Sequence, residues 1–225
     1  MTIVLDETWQ PDGHNARVHL LVADVSPLME DPVLLAEAVT WLSPQRHTKA
    51  EACRNPRSRA LSVGVALLLD HLLKEVGYRE CEMRYTEGPH GKPALQWGEE
   101  EATLESFNLS HSGHMVAAAL LWPSISSFPQ STSNLPPIGL DIQHQTRYRP
   151  ELVRRMFNAH DREQLAVCTD EAARQKRFAQ LWSRAEAFAK ATGEGLRWPF
   201  PTPPTNAVFH DFAVEDYSGS LCIIL

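Results

Sequence analysis

The 225-residue sequence predicts an α+β protein in two parts, and three observations predict it. Apolar residues recur at helical spacing over residues 57–76 and again over 171–192. Short apolar runs, ended by Pro, Gly or polar residues, surround both stretches and read as hairpin-like strands. Between them, residues 123–137 are rich in Pro and Ser and hold few hydrophobic anchors, as an exposed linker does. The expected boundaries are therefore 1–122 for the first half, 123–137 for the linker and 138–225 for the second half. Each half mixes helices with adjacent strands, which is the α+β pattern. The length suits one large domain or two packed halves of about 100 residues each.

In chain order, residues 18–25 form a short apolar run closed by Ser26-Pro27, a buried strand. Residues 32–41 are a short helical candidate. Ser43-Pro44 then marks a helix start, with Ser43 as N-cap and Pro44 at the first helical position. In 57–76 the apolar stripe is Leu61, Val65, Leu68, Leu69, Leu72 and Leu73, and Gly77 stops the helix. Residues 88–93 are a turn-rich loop. Residues 107–109 and 115–122 read as strands around a polar insert at 110–114. The second half opens with a strand at 138–142, followed by short helices at 152–157 and 162–166. The helix at 171–192 has the strongest pattern, with Phe178, Leu181, Trp182, Ala185 and Ala189 on its stripe and Gly193 as its stop. Residues 207–214 and 221–225 complete the strands.

A formal net charge of −7 argues against general nucleic-acid binding, which needs a basic surface to neutralise phosphates. Arg54, Arg57 and Arg59 form a local basic group that composition alone assigns to a solvated helix face. The cysteines Cys53, Cys81, Cys168 and Cys222 are scattered, without C-x-x-C or zinc-ligand spacing. The N-terminal residues carry Asp6 and Glu7 and lack a basic start before an apolar core. The longest apolar runs, 63–69 and 115–122, fall short of the roughly 20 residues that span a bilayer. These features predict a cytoplasmic protein with free thiols and no membrane partner.

Four short segments carry the chemistry: Gly91-Lys92-Pro93; Phe107-Asn108-Leu109-Ser110-His111-Ser112; Ile138-Gly139-Leu140-Asp141-Ile142-Gln143; and 182–190, Trp-Ser-Arg-Ala-Glu-Ala-Phe-Ala-Lys. Strand alternation puts Asp141 and Gln143 on one face. Trp182, Glu186 and Lys190 are spaced i, i+4, i+8 and share a helix face. An Asp inside an apolar run is costly to bury alone, and a cation would explain it; a strand-end turn residue is the plainer reading. For Glu186 and Lys190 the plainer reading is a surface pair worth about 0.2–0.5 kcal/mol.

In this order the segments resemble the 4′-phosphopantetheinyl transferase family, of the surfactin-synthetase-activating type, from near Arg57 to Gly193-Glu194-Gly195-Leu196. The resemblance implies two similar α+β halves related by a pseudo-two-fold, with the active site in the cleft between them. It implies Mg²⁺-dependent transfer of the phosphopantetheine arm of coenzyme A to a serine of an acyl or peptidyl carrier protein, with release of adenosine 3′,5′-bisphosphate, by a monomer. It assigns Asp141, Gln143 and Glu186 to the metal, and Mg²⁺ needs only a few protein oxygens among its six ligands. On that basis Glu186 takes the serine proton, directly or through a metal-bound water, and Lys190 stabilises phosphate charge; Arg59, Lys92, Ser110, His111 and Lys190 go to coenzyme A. Phe157 matches a family aromatic, either on the carrier-binding surface or in the core.

Two positions depart from the family pattern. Gln143 stands where the residue is often acidic, and Ala185 where Lys usually precedes the Glu. Arg184 points about 100° from that position on a helix. These departures motivate a second reading, a non-catalytic member that binds coenzyme A or a carrier protein. A Ser110–His111 hydrolase is a third reading. It is opposed by the opposite directions of adjacent strand side chains and by the lack of a G-x-S-x-G elbow.

Overall fold

The structure is a computed structural model and describes residues 1–12, 14–87, 92–97, 102–104, 106–123, 135–145 and 148–225. Most of the expected loop at 88–93 and of the expected linker at 123–137 lies outside these residues. The chain forms two compact units, Met1–Leu135 and Pro136–Leu225.

The first unit begins with strands β1 (Thr2–Trp9) and β2 (Ala16–Asp24), then helices α1 (Ser26–Glu30), α2 (Pro32–Val39), α3 (Pro44–Ala52) and α4 (Pro56–Glu75). A 3₁₀ turn at Glu80–Glu82 leads to β3 (Arg84–Glu87), β4 (Pro93–Trp97), β5 (Ala102–Leu104), β6 (Phe107–Ser112) and β7 (Met115–Pro123). The main sheet is antiparallel in the order β1-β2-β7-β6; β3, β4 and β5 form a second sheet. Helix α4 forms because Asn55 caps it, accepting from the N–H groups of Arg57 and Ser58 at 2.8 and 3.4 Å, with Pro56 opening the first turn. Its whole stripe is buried, with no residue among Leu61, Val65, Leu68, Leu69, Leu72 and Leu73 above 8% exposure. It ends at Gly77, whose φ of 86° is left-handed. His19 of β2 ties the sheet together, with its ring nitrogens 2.7 Å from Asp6 on β1 and 2.8 Å from Glu75 on α4.

The second unit contains β8 (Ile138–His144), α5 (Pro150–Met156), α6 (Ala159–Ala166), α7 (Glu171–Thr192), β9 (Ala207–Val214) and β10 (Tyr217–Ile224). Its antiparallel sheet runs β8-β10-β9 and packs against α7. Asp170 caps α7 by accepting from Ala173 N–H at 2.7 Å, and Gly193 stops it at φ 71°. Val153, Phe157, Phe178, Leu181 and Phe200 form an apolar cluster where α5, α6 and α7 meet.

The bounds of α7 and β9 match the expected ones. The polar segment 110–114 differs, because β6 continues through Ser112. Main-chain pairing of Ser110 with Ala117 and of Ser112 with Met115 outweighs the loss of apolar pattern. Strand β1 escaped the pattern because it is largely exposed. Phe157 is 1% exposed, so its place is the core. All four cysteines are free thiols. Among the described residues, no helix is long and apolar enough to cross a membrane.

Candidate active site

One polar cluster in the second unit unites residues far apart in sequence. It depends on Gly139. A Cβ there would lie 2.0 Å from the Ala187 carbonyl oxygen and 2.3 Å from the Ala191 amide nitrogen. Helix α7 therefore lies directly on β8 at a position where only glycine fits. Two residues further along the same face is Asp141, only 4% exposed. One turn of α7 brings two polar side chains to it. Lys190 Nζ donates to Asp141 Oδ1 at 2.8 Å and to the Leu140 carbonyl at 2.9 Å. Glu186 stands close enough to Asp141 for the two carboxyl charges to act on each other.

Trp182 Nε1–H, one turn back, donates to Glu186 Oε1 at 2.9 Å. Further along, Ser183 Oγ donates to the Ser218 carbonyl at 3.0 Å, fixing α7 to β10. Burial pushes the Glu186 carboxyl above its ordinary pKa. The neighbouring Asp141 pushes it the same way, while Lys190 and the Trp182 donor pull it back. Two neighbouring carboxyls beside one ammonium group are a set of hard oxygen donors with excess negative potential. Such a set suits a small divalent cation. Gln143 lies on the same strand face, half-buried, with its amide nitrogen 3.4 Å from the His144 carbonyl. Among the described residues, no cluster of three or more His, Cys, Asp and Glu forms a metal-binding group. A cation here would rest on two carboxyls, with a neutral amide oxygen as the next candidate.

A second feature lies within the first unit. A cavity of about 480 Å³ is lined by residues including Arg46, Lys49, Ser62, Ser110 and His111. Ser110 is buried and His111 exposed, both on β6. Arg46 is 7% exposed, and among the described residues neither its Nε nor the Ser62 hydroxyl finds a hydrogen-bond partner. A buried cation and two hydroxyls around an open volume suit an anionic ligand.

The expected residues thus fall into two groups. Asp141, Glu186 and Lys190 converge, with Gln143 on the adjacent strand position. Ser110 and His111 line the cavity, and Lys92 directly precedes Pro93, which also lines it. Arg59 is half-buried on α4 between the lining residues Ser58 and Ser62, and its Nε is without a hydrogen-bond partner among the described residues. Gly91 lies outside the described residues. Arg184 turns to Asp211 at 3.7 Å and stacks on Phe209, away from the Asp141 cluster. The sequence reading missed Arg46 and Lys49. Their i, i+3 spacing just after the Ser43 cap was the available signal.

Comparison with known proteins bears on this cluster. Residues 137–221, which hold β8 and α7, match the family model of the 4′-phosphopantetheinyl transferase superfamily. The chain is 30% identical over 156 residues to the Synechocystis sp. protein slr0495, covering 69% of this chain and 58% of that one. It is 25% identical over 165 residues to the Bacillus subtilis 4′-phosphopantetheinyl transferase Sfp, covering 72% and 64%. To the Nostoc sp. 4′-phosphopantetheinyl transferase HetI it is 28% identical over 200 residues, covering 86% and 78%. The first two alignments thus span less than two thirds of the relatives' own lengths. Family model and relatives agree, and the matched segment is the one that folds around Gly139, Asp141, Glu186 and Lys190: residues 137–221 match the 4′-phosphopantetheinyl transferase superfamily, and the chain is similar over most of its length to proteins of that name.

Proposed function

We propose that this protein transfers the 4′-phosphopantetheine arm of coenzyme A to a serine hydroxyl of an acyl or peptidyl carrier protein. One observation carries the reading: Asp141, Glu186 and Lys190 meet at one point inside the segment that matches the superfamily. In this reading the serine oxygen forms a bond to the β-phosphorus. The phosphoanhydride bond breaks, and its electron pair leaves with adenosine 3′,5′-bisphosphate.

The chain's own residues suit these tasks. Glu186, whose carboxyl burial raises above its ordinary pKa, takes the serine proton. Lys190 donates to the phosphate charge that develops during transfer. Asp141 orients Lys190 through their 2.8 Å bond. The Arg46, Lys49, Ser110 and His111 cavity takes an anionic part of coenzyme A, with Arg59 and Lys92 close along the chain. Asp141 and Glu186, with Gln143, would hold Mg²⁺, which supplies charge neutralisation at the diphosphate when bound. Positioning and electrostatics account for most of the acceleration in such a reaction.

The proposal includes the pseudo-two-fold relation of two similar halves with the site in their cleft, the 1–122, 123–137 and 138–225 boundaries, a cytoplasmic location and a monomeric state. These rest on the family resemblance and on the sequence pattern. Each unit sets one long helix, α4 or α7, against an antiparallel sheet, which supports the likeness of the halves.

Incubation with apo carrier protein, coenzyme A and Mg²⁺, followed by intact-mass measurement, tests the reading. Carrier mass rises by the phosphopantetheine arm if it is right. Coenzyme A binding without any mass gain on fatty-acid and secondary-metabolite carriers would favour a non-catalytic binder. Gln143 and Ala185 are the positions that motivate that second reading.

A further inference from the structure

Glu80 is a buried acid that the chemistry above does not use. It is 1% exposed and sits on the 3₁₀ turn. Its carboxyl accepts three hydrogen bonds. Ser43 N–H donates to Oε2 at 2.8 Å, and Oε1 receives the Ser43 hydroxyl at 2.8 Å and the Tyr85 hydroxyl at 2.7 Å. The turn itself is anchored. Asp70 accepts from the Glu80 backbone N–H at 3.0 Å and is paired with Arg79 at 3.0 Å and Lys74 at 2.8 Å.

Both residues that Glu80 holds lead to Arg46. Ser43 caps α3, and its hydroxyl oxygen accepts from Arg46 N–H at 3.3 Å. The Tyr85 ring lies under the Arg46 guanidinium, 4.5 Å from Cζ to the ring centre. Gln45 fastens the same two segments, accepting from Tyr85 N–H at 2.6 Å and donating to the Tyr85 carbonyl at 3.2 Å. Burial pushes the Tyr85 phenol far above its ordinary pKa; the Arg46 charge opposes this and Glu80 adds to it, so the ring stays a neutral donor. Arg46 ends at the cavity, nine-tenths buried, with no hydrogen-bond partner for Nε among the described residues. A guanidinium held this rigidly has lost its side-chain freedom before any ligand arrives, which favours a bound anion.

We propose that Glu80 is a positioning residue for donor binding: through Ser43 and Tyr85 it fixes Arg46 as a preorganised cation facing the cavity. This rests on the reading of that cavity as part of the coenzyme A site. An acceptor with no donor of its own is required, because three donors converge on it. Glutamine would turn an NH₂ group toward one of them.

The test is Glu80→Gln in the full chain, with coenzyme A binding measured by calorimetry and transfer by intact mass. Glu80→Gln is expected to weaken coenzyme A binding and raise its KM about tenfold, the scale of one charge-assisted hydrogen bond, with kcat within about twofold of wild type. Arg46→Ala is expected to lose about the same, and the double variant to be no worse than Arg46→Ala alone. A purely structural role for Glu80 would instead multiply the two losses, and that result overturns the proposal, as does unchanged coenzyme A affinity in Glu80→Gln. If Glu80→Gln does not fold, Tyr85→Phe replaces it. It keeps the ring under Arg46 and removes one donor, and the same cycle with Arg46→Ala applies. If wild type transfers no arm and binds no coenzyme A, the functional reading fails on its own. The positioning claim is then read from the Arg46 Nε–H resonance, expected to lose its ordered signal in the variant and overturned if unchanged.

Discussion

Gly139→Ala is the sharpest test of how the fold builds the site. The added methyl would stand 2.0 Å from the Ala187 carbonyl and 2.3 Å from the Ala191 amide, with the Lys190 carbonyl carbon at 2.9 Å. Ordinary contact distance is about 3.5 Å, so a rearrangement on the order of 1 Å is unavoidable. Side chains could rotate aside, but the facing atoms are helix backbone, so α7 must lift from β8 as a body. Overpacking of this kind costs about 3 kcal/mol, the upper end of the usual range. That corresponds to a fall of roughly 6–12 °C in melting midpoint for a chain of this size. The same shift separates Lys190 from Asp141, now 2.8 Å apart, and moves Glu186 with it. A misplacement of about 1 Å in a catalytic constellation lowers transfer roughly 100-fold. Thermal denaturation and the intact-mass assay measure the two effects. A Gly139→Ala protein with wild-type melting and wild-type transfer would refute the claim that close helix–strand approach assembles this cluster.

Three further outcomes follow from the geometry. Glu186→Gln should lower transfer by about 10²–10⁴-fold, yet in EDTA at pH 7 it should unfold in urea no more readily than wild type. The sign follows from linkage: a carboxyl raised in the folded state costs stability as pH climbs from its unfolded value through its folded one, and glutamine removes that cost. Asp70 has the opposite sign. Burial opposes its ionisation, but the Arg79, Lys74 and Glu80 N–H donors outweigh burial and lower its pKa. Its contribution is therefore present above the unfolded carboxyl value and lost as pH falls through the lower folded one. Asp70→Asn should cost about 1–3 kcal/mol at pH 7, and the gap from wild type should close in acid denaturation curves. Phe157→Ala should cost about 3–5 kcal/mol in urea unfolding, because the ring packs on Phe178, Trp182 and Phe200. A loss confined to carrier KM would instead place Phe157 on a docking surface.

Local pattern was enough to specify α4 and α7. Their apolar stripes, the Asn55 and Asp170 caps and the Gly77 and Gly193 stops all act within a turn or two of the chain. It also specified that Trp182, Glu186 and Lys190 share a face, since 3.6-residue periodicity settles that without any partner. Family-like segments added the idea that Asp141 belongs with them. Pattern failed at β1 and at residues 110–112, where sheet pairing rather than hydrophobicity holds the strand. It also left the second sheet, β3 to β5, unseen.

Which side chains touch was another matter. Asp141 and Lys190 are 49 positions apart, and nothing local in either segment indicates that a glycine two residues before the aspartate admits the helix. Ser43 and Glu80 are 37 apart, and Glu80 in its own segment looks like one more surface glutamate beside Glu82. Such contacts come from close packing, in which a missing Cβ or a single buried acceptor chooses among many arrangements of equal local energy. Periodicity determines the face a residue occupies; steric fit between elements determines what meets it there.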